Sequence, residues 1–142
     1  MRNRTLLTIA ALVATTTLAG CGSQSLSSSS DTAAPPAGPD LSSVTFEDET
    51  GATAVKVDAV DNTFKAEYIE VDAGTAVTFR NDGRNDHNVI PVAAGGFAAI
   101  QADAFEPGTE QTVTFTDPGD YPYYCSLHGT TTKGMVGAIR VT

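Results

Sequence analysis

The sequence predicts an all-β fold, a sandwich or barrel, and three features carry that prediction. Short stretches alternate apolar and polar residues with the period of two expected of a half-buried strand, Gly, Pro and Asp signals separate them, and no stretch after residue 20 shows a convincing helical period. At 142 residues and 41% hydrophobic content, the chain holds one core of ordinary size and has no room for a second catalytic domain.

Residues 1–20 must be set aside before the fold is argued. Arg2 and Arg4 precede an apolar run from Leu6 to Leu18, which ends in Leu18-Ala19-Gly20-Cys21, the pattern of a bacterial export signal with a lipobox. The run is shorter than the roughly 20 residues that cross a bilayer, so a cleaved signal peptide is expected over a retained membrane helix. Acylation of Cys21 would then tether the mature chain, as in bacterial lipoproteins, to the outer face of a membrane. Residues 21–41 are rich in Ser, then carry Ala33-Ala34-Pro35-Pro36, and read as a flexible linker with almost nothing to bury. The folded domain is expected over 42–142. Two cysteines in an exported protein ordinarily suggest a disulfide, but an acylated Cys21 leaves Cys125 a lone thiol in an oxidising compartment, where a metal would protect it.

Within the domain, Val55, Val57 and Ala59 point one way while Lys56 and Asp58 point the other. Ile69 and Val71 continue the pattern, Ala73-Gly74 makes a turn, and Val77 with Phe79 face inward opposite Thr78 and Arg80. Gly95 to Glu110 is less regular: Phe97, Ile100 and Phe105 suit an irregular strand or a short helical turn that Pro107-Gly108 ends. Val113 and Phe115 restore the alternation before Asp117-Pro118-Gly119, and the last strands run from Tyr121 to Cys125 and from Val136 to Val141. Pro122 cannot donate to a ladder and is expected at an edge or an irregular point. Alternation puts Tyr123 on the face of Cys125 and turns Tyr124 away.

Soft and borderline metal ligands cluster near the C-terminus, in Cys125-Ser126-Leu127-His128 and in Lys133-Gly134-Met135. A turn over Ser126 and Leu127 would bring His128 back toward Cys125, and the other histidine, His87 in Asn85-Asp86-His87-Asn88-Val89, would have to be brought alongside by the sandwich. Taken singly, a buried Cys or a Met ahead of a core strand is ordinary packing. Taken together, thiolate, two imidazoles and a thioether suit copper in both oxidation states, whereas a thioether is a poor fourth ligand for zinc.

These residues resemble the plastocyanin-like branch of the cupredoxins over about the last hundred residues, with His87-Asn88-Val89, Tyr123-Tyr124-Cys125, His128 and Gly134-Met135-Val136-Gly137 in the family's order. The resemblance implies a Greek-key β-sandwich of the cupredoxin type and one copper ion, cycling between Cu(I) and Cu(II), bound by His87, Cys125, His128 and Met135. It also implies that Asn88 pins the ligand loop and that Tyr124 sits on an electron path beside the copper cysteine. Six residues separate His128 from Met135, more than in the plastocyanins. That leaves open whether the thioether, a backbone carbonyl or an open side faces the metal axially.

A mononuclear blue copper electron-transfer protein is therefore the expected function, with copper scavenging or delivery as the alternative. A copper oxidase or reductase would need further histidines, and the chain has only two. The formal charge is −9, becoming −9 − 2 = −11 once the two signal arginines are gone, so nucleic acid is not an expected partner. The expected partners are a redox protein or a copper donor or acceptor, met by an extracytoplasmic monomer that touches the membrane through its lipid alone.

Overall fold

Side chains that alternate along a strand face two environments at once, and two sheets stacked over one core satisfy that demand. In the computed structural model, which describes residues 36–142, the alternating stretches form nine strands. They are β1 (Glu47–Asp48), β2 (Ala54–Val60), β3 (Thr63–Lys65), β4 (Tyr68–Val71), β5 (Ala76–Asn81), β6 (Ile90–Pro91), β7 (Glu110–Thr114), β8 (Gly119–Gly129) and β9 (Gly134–Val141). The export signal, Cys21 and the start of the linker lie outside the described residues. One sheet has the order β1-β4-β9-β8-β6 and the other β3-β2-β5-β7, both mixing parallel and antiparallel neighbours. This is the all-β sandwich that the alternation predicts.

The core lies between the sheets. Val57, Ala59, Val77 and Phe79 from one meet Ile69, Val71, Ile139 and Val141 from the other, all buried in one cluster. Tyr123 is its largest member and is fully buried; its ring packs edge-on to Phe64 and Phe79, with centroids 5.0 and 5.3 Å away. Its cross-strand partner is Gly137, and a Cβ there would lie 2.5 Å from the Tyr123 ring tip and 2.6 Å from the Glu67 carbonyl oxygen. Gly137 is therefore the gap through which the tyrosine passes. Burial pushes the phenol well above its usual titration range, so it stays neutral.

Pro122 sits inside a sheet, between β9 and β6, and not on an edge strand. Its backbone faces β6, since the opposite residue of β9, Ala138, gives its N–H to Glu67 O, just before β4; Val92 N–H donates to Pro122 O, the proline has no N–H to return, and the β6 ladder ends there, after Pro91 opposite Tyr123. Before β1, Gly38 lies against Pro122 and Val92, and Phe46 stacks under the Arg140 guanidinium at 3.9 Å, so this stretch crosses from β8 to the far edge of the sheet.

The irregular stretch after β6 closes the side of the sandwich. Val89 and Ile100 exchange both backbone hydrogen bonds, a single 3-10 turn spans Ala102–Ala104, and Phe105 plugs the core.

Gly137→Ala is expected to destabilise the fold by about 3 kcal/mol or more, the upper end of the overpacking cost, because the new methyl meets both the Tyr123 ring and the Glu67 carbonyl oxygen. Gly51→Ala, at a turn with φ 83° and nothing near the new methyl, should lose only about 1–2 kcal/mol of backbone strain. Urea midpoints compare the two, and equal losses would contradict the packing account.

Candidate metal centre

Cys125 is fully buried on the inward face of β8, two residues after Tyr123, as alternation requires. Beyond it β8 does not turn over Ser126 and Leu127 as the sequence suggested; it continues as strand to Gly129, with a break in register. Tyr124 pairs with Val136 and Gly129 with Gly134, so four residues of β8, Cys125 to His128, lie opposite the single residue Met135 of β9. The surplus must bulge. The bulge brings His128 Nδ1 to 3.6 Å from Cys125 Sγ. A short turn then closes the hairpin, with Thr130 N–H donating to Lys133 O at 2.8 Å. The long spacing between His128 and Met135 is thus absorbed by a turn and does not loosen the strand pair.

His87 arrives from the other sheet. It is fully buried, on the segment that leaves β5, and its Nδ1 lies 3.7 Å from Cys125 Sγ. Three anchors hold that segment. His87 N–H donates to Phe105 O, Val89 is paired with Ile100, and Asn88 makes two bonds of 2.8 Å to Ser126, donating to its Oγ and accepting from its N–H. The pinning role expected of Asn88 has this physical form.

One donor atom from each of His87, Cys125 and His128 lies within 4.8 Å of the others. Donors held at about 2.0–2.3 Å from a common ion in a trigonal arrangement are separated by roughly 3.7 Å. The two sulfur–nitrogen distances, 3.7 and 3.6 Å, fit that spacing. Met135 is buried in the same cluster as Cys125, opposite the bulge. His128 is half-buried, and Leu127 beside it is the exposed large apolar side chain among the described residues, at 53%.

Burial, and after it the neighbouring His128 ring, lower the His87 pKa, while Asp86 and Asp61 oppose them. The imidazole is therefore held neutral, the form in which a ring nitrogen can donate to a metal.

Nothing in the motif marks Ser126 or Asn81 as supports of the site. The one available signal is that alternation places Asn81 inward with Val77 and Phe79, where a polar side chain must find partners.

The family model for copper binding proteins of the plastocyanin/azurin family matches residues 51–142. The chain belongs to that family. Among curated relatives, plastocyanin of Mercurialis perennis is 33% identical over 87 residues, covering 55% of this chain and 86% of the relative. Plastocyanin of Prochlorothrix hollandica is 35% identical over 83 residues, covering 55% and 62%. The match spans about half of the chloroplastic plastocyanin of Hordeum vulgare, 54% of its length. Among solved structures, a reduced amicyanin variant superposes with a TM-score of 0.54 at 30% identity, covering 63% of this chain and 82% of that one. A copper-containing nitrite reductase from Thermus scotoductus gives 0.51 at 30% identity, covering 63% of this chain but only 22% of that one. The fold is that of a cupredoxin, and the cofactor of this family is copper.

The neutral His87 sets a pH dependence. Protonation is harder in the folded chain than in the unfolded one, so the unfolded chain takes up the proton first as pH falls. This contribution to the stability of the copper-free protein is full above the ordinary imidazole value of about 6.5 and is lost as pH drops below it toward the folded value. Urea midpoints between about pH 8 and pH 5, compared with His87→Gln, should show the variant losing less on acidification. Parallel curves would mean that His87 is not held neutral.

Proposed function

We propose that His87, Cys125 and His128 hold one copper ion, with Met135 as the weak axial donor, in an electron-transfer protein tethered through Cys21 to the outer face of a bacterial membrane. The observation that carries this reading is the gathering of one sulfur and two imidazole donors within 4.8 Å, with Cys125 and His87 fully buried. Copper in such a set supplies a reversible one-electron couple, since the sulfur favours Cu(I) and the imidazoles tolerate Cu(II). The chain's own task is to keep the donors still. The β8 ladder holds the strand as far as Tyr124, the residue before Cys125, the Asn88–Ser126 bonds fix the His87 segment to the same strand just after it, and the Thr130–Lys133 turn closes the hairpin.

His128 is the most accessible of the three and makes the natural port for electrons. Both histidines are engaged here, so no further imidazole remains for a second copper, and no catalytic reaction is proposed. With 17 acidic residues against 8 − 2 = 6 basic ones once the signal arginines are gone, the mature chain would steer a basic redox partner. Scavenging or delivery of copper uses the same ligands but requires them to open, and the bonds across the site favour retention.

The copper-loaded protein is expected to show an intense visible charge-transfer band that Cys125→Ala abolishes and Met135→Leu retains with a raised potential. Reduced and challenged with a strong Cu(I) chelator, it should lose copper slowly while exchanging electrons quickly with a small redox reagent. A colourless 1:1 copper complex would sink the blue-copper reading, and fast release with sluggish exchange would replace electron transfer with delivery.

The tether has its own test. Cys21→Ser should move the protein from membrane to soluble fractions or leave its signal uncleaved. Membrane association with an unmodified Cys21 in mass spectra would refute the lipid anchor.

A further inference from the structure

Asn81 is the last residue of β5, fully buried, and it lies outside the ligand set. A buried amide has to be satisfied, and here all its bonds lead toward His87. Its Nδ2 donates to Asn85 O at 2.9 Å, two residues before His87, and to Phe105 O at 2.8 Å. Its Oδ1 accepts from Gly83 N at 3.0 Å. Phe105 O is shared, since His87 N–H also donates to it at 3.4 Å. Gly83 stands beside the other end of the imidazole: a Cβ on it would lie 3.2 Å from His87 Nε2. The Asn81 backbone is fixed as well, with its N–H given to Thr109 O and its carbonyl accepting from Gly108 N.

The segment 82–86 carries no strand and would otherwise be free to move the histidine at its end. One side chain ties its start, at Gly83, and its finish, at Asn85, to the carbonyl that anchors His87 itself. We propose that Asn81 is the positioning residue for His87, holding the imidazole in its ligand place by clamping the 82–86 segment onto the Phe105 carbonyl; this rests on the reading of His87 as a copper ligand. Asn88 and Ser126 lock the far side of His87, and Asn81 locks the near side, so the ring is held from both directions along the chain.

No other residue type supplies this pattern at the same length. Asp would keep the acceptor for Gly83 but lose both donors, leaving Asn85 O and Phe105 O without their side-chain partner. Leu would fill the space and lose all three bonds.

The test compares Asn81→Asp and Asn81→Leu with Val71→Ala, a core truncation in β4 that contributes nothing to the site. Copper affinity, the visible charge-transfer spectrum and the Cu(II) electron paramagnetic resonance spectrum are read for each. Both Asn81 variants should bind copper about 10- to 100-fold more weakly with altered spectra. Val71→Ala should leave affinity and spectra as in the wild type even where it loses as much stability. Wild-type affinity and spectra in the Asn81 variants, or the same changes in Val71→Ala, would overturn the proposal. Should the Asn81 variants fail to fold, hydrogen exchange on the copper-free wild-type protein decides: the Gly83 and His87 amides should be protected to the level of β5 amides. Exchange at exposed-loop rates, with protection arising only on copper loading, would overturn it. A wild-type chain that binds no copper would refute the ligand reading and not the clamp, which the exchange measurement still reports.

Discussion

One amide joins the two parts of the candidate metal centre. Asn88 exchanges two 2.8 Å hydrogen bonds with Ser126, a residue 38 positions away on the other side of the site. His87 and Cys125 are the immediate neighbours of this pair, so wherever Asn88 and Ser126 meet, the imidazole and the thiol must meet too. Asn88 is buried while Ser126 is exposed, so breaking the pair would leave the Asn88 amide buried and unsatisfied, which costs about 1–3 kcal/mol. The pairing is therefore a strong reason for the His87 segment to sit against β8 and not elsewhere.

The rest of the site follows from how β8 meets β9. An ordinary antiparallel pair would turn His128 away from Cys125, because residues three apart on a regular strand face opposite sides. Four residues opposite one breaks that rule and brings both side chains to the same place. The bulge is tolerated because the ladder recovers immediately, at Gly129 and Gly134, where close backbone approach leaves no room for a Cβ on either residue. Sheet regularity is given up over one short stretch, and the ligands gather there.

Below the site, the core resists movement. Tyr123, two residues before Cys125, is wedged between Phe64 and Phe79 and threads the gap at Gly137. A ring so confined holds its strand in register, and a strand in register holds the thiol. In the proposed electron-transfer role the centre would change charge without rearranging, and rigidity below the candidate ligands would then matter as much as the ligands.

The sequence by itself determined the layers and the donors. Period-two alternation is a local property, so Val57, Val77, Phe79, Ile69 and Tyr123 could be placed inward from their neighbours alone. The ligand types were legible because few residues do this chemistry and only two histidines are present. What only the tertiary structure decided was how remote pieces meet. The extension of β8 through Ser126 and Leu127, where a turn was expected, depends on a register with β9 that no local pattern encodes. The interior place of Pro122 depends on where β6 stops. Asn81 accepts from the Gly83 N–H and donates to the Asn85 and Phe105 carbonyls, Asn88 meets a serine 38 residues on, and hydrogen bonds of that kind leave no periodic trace. Periodicity reports which way a side chain points; what it touches is set by the packing of the whole chain.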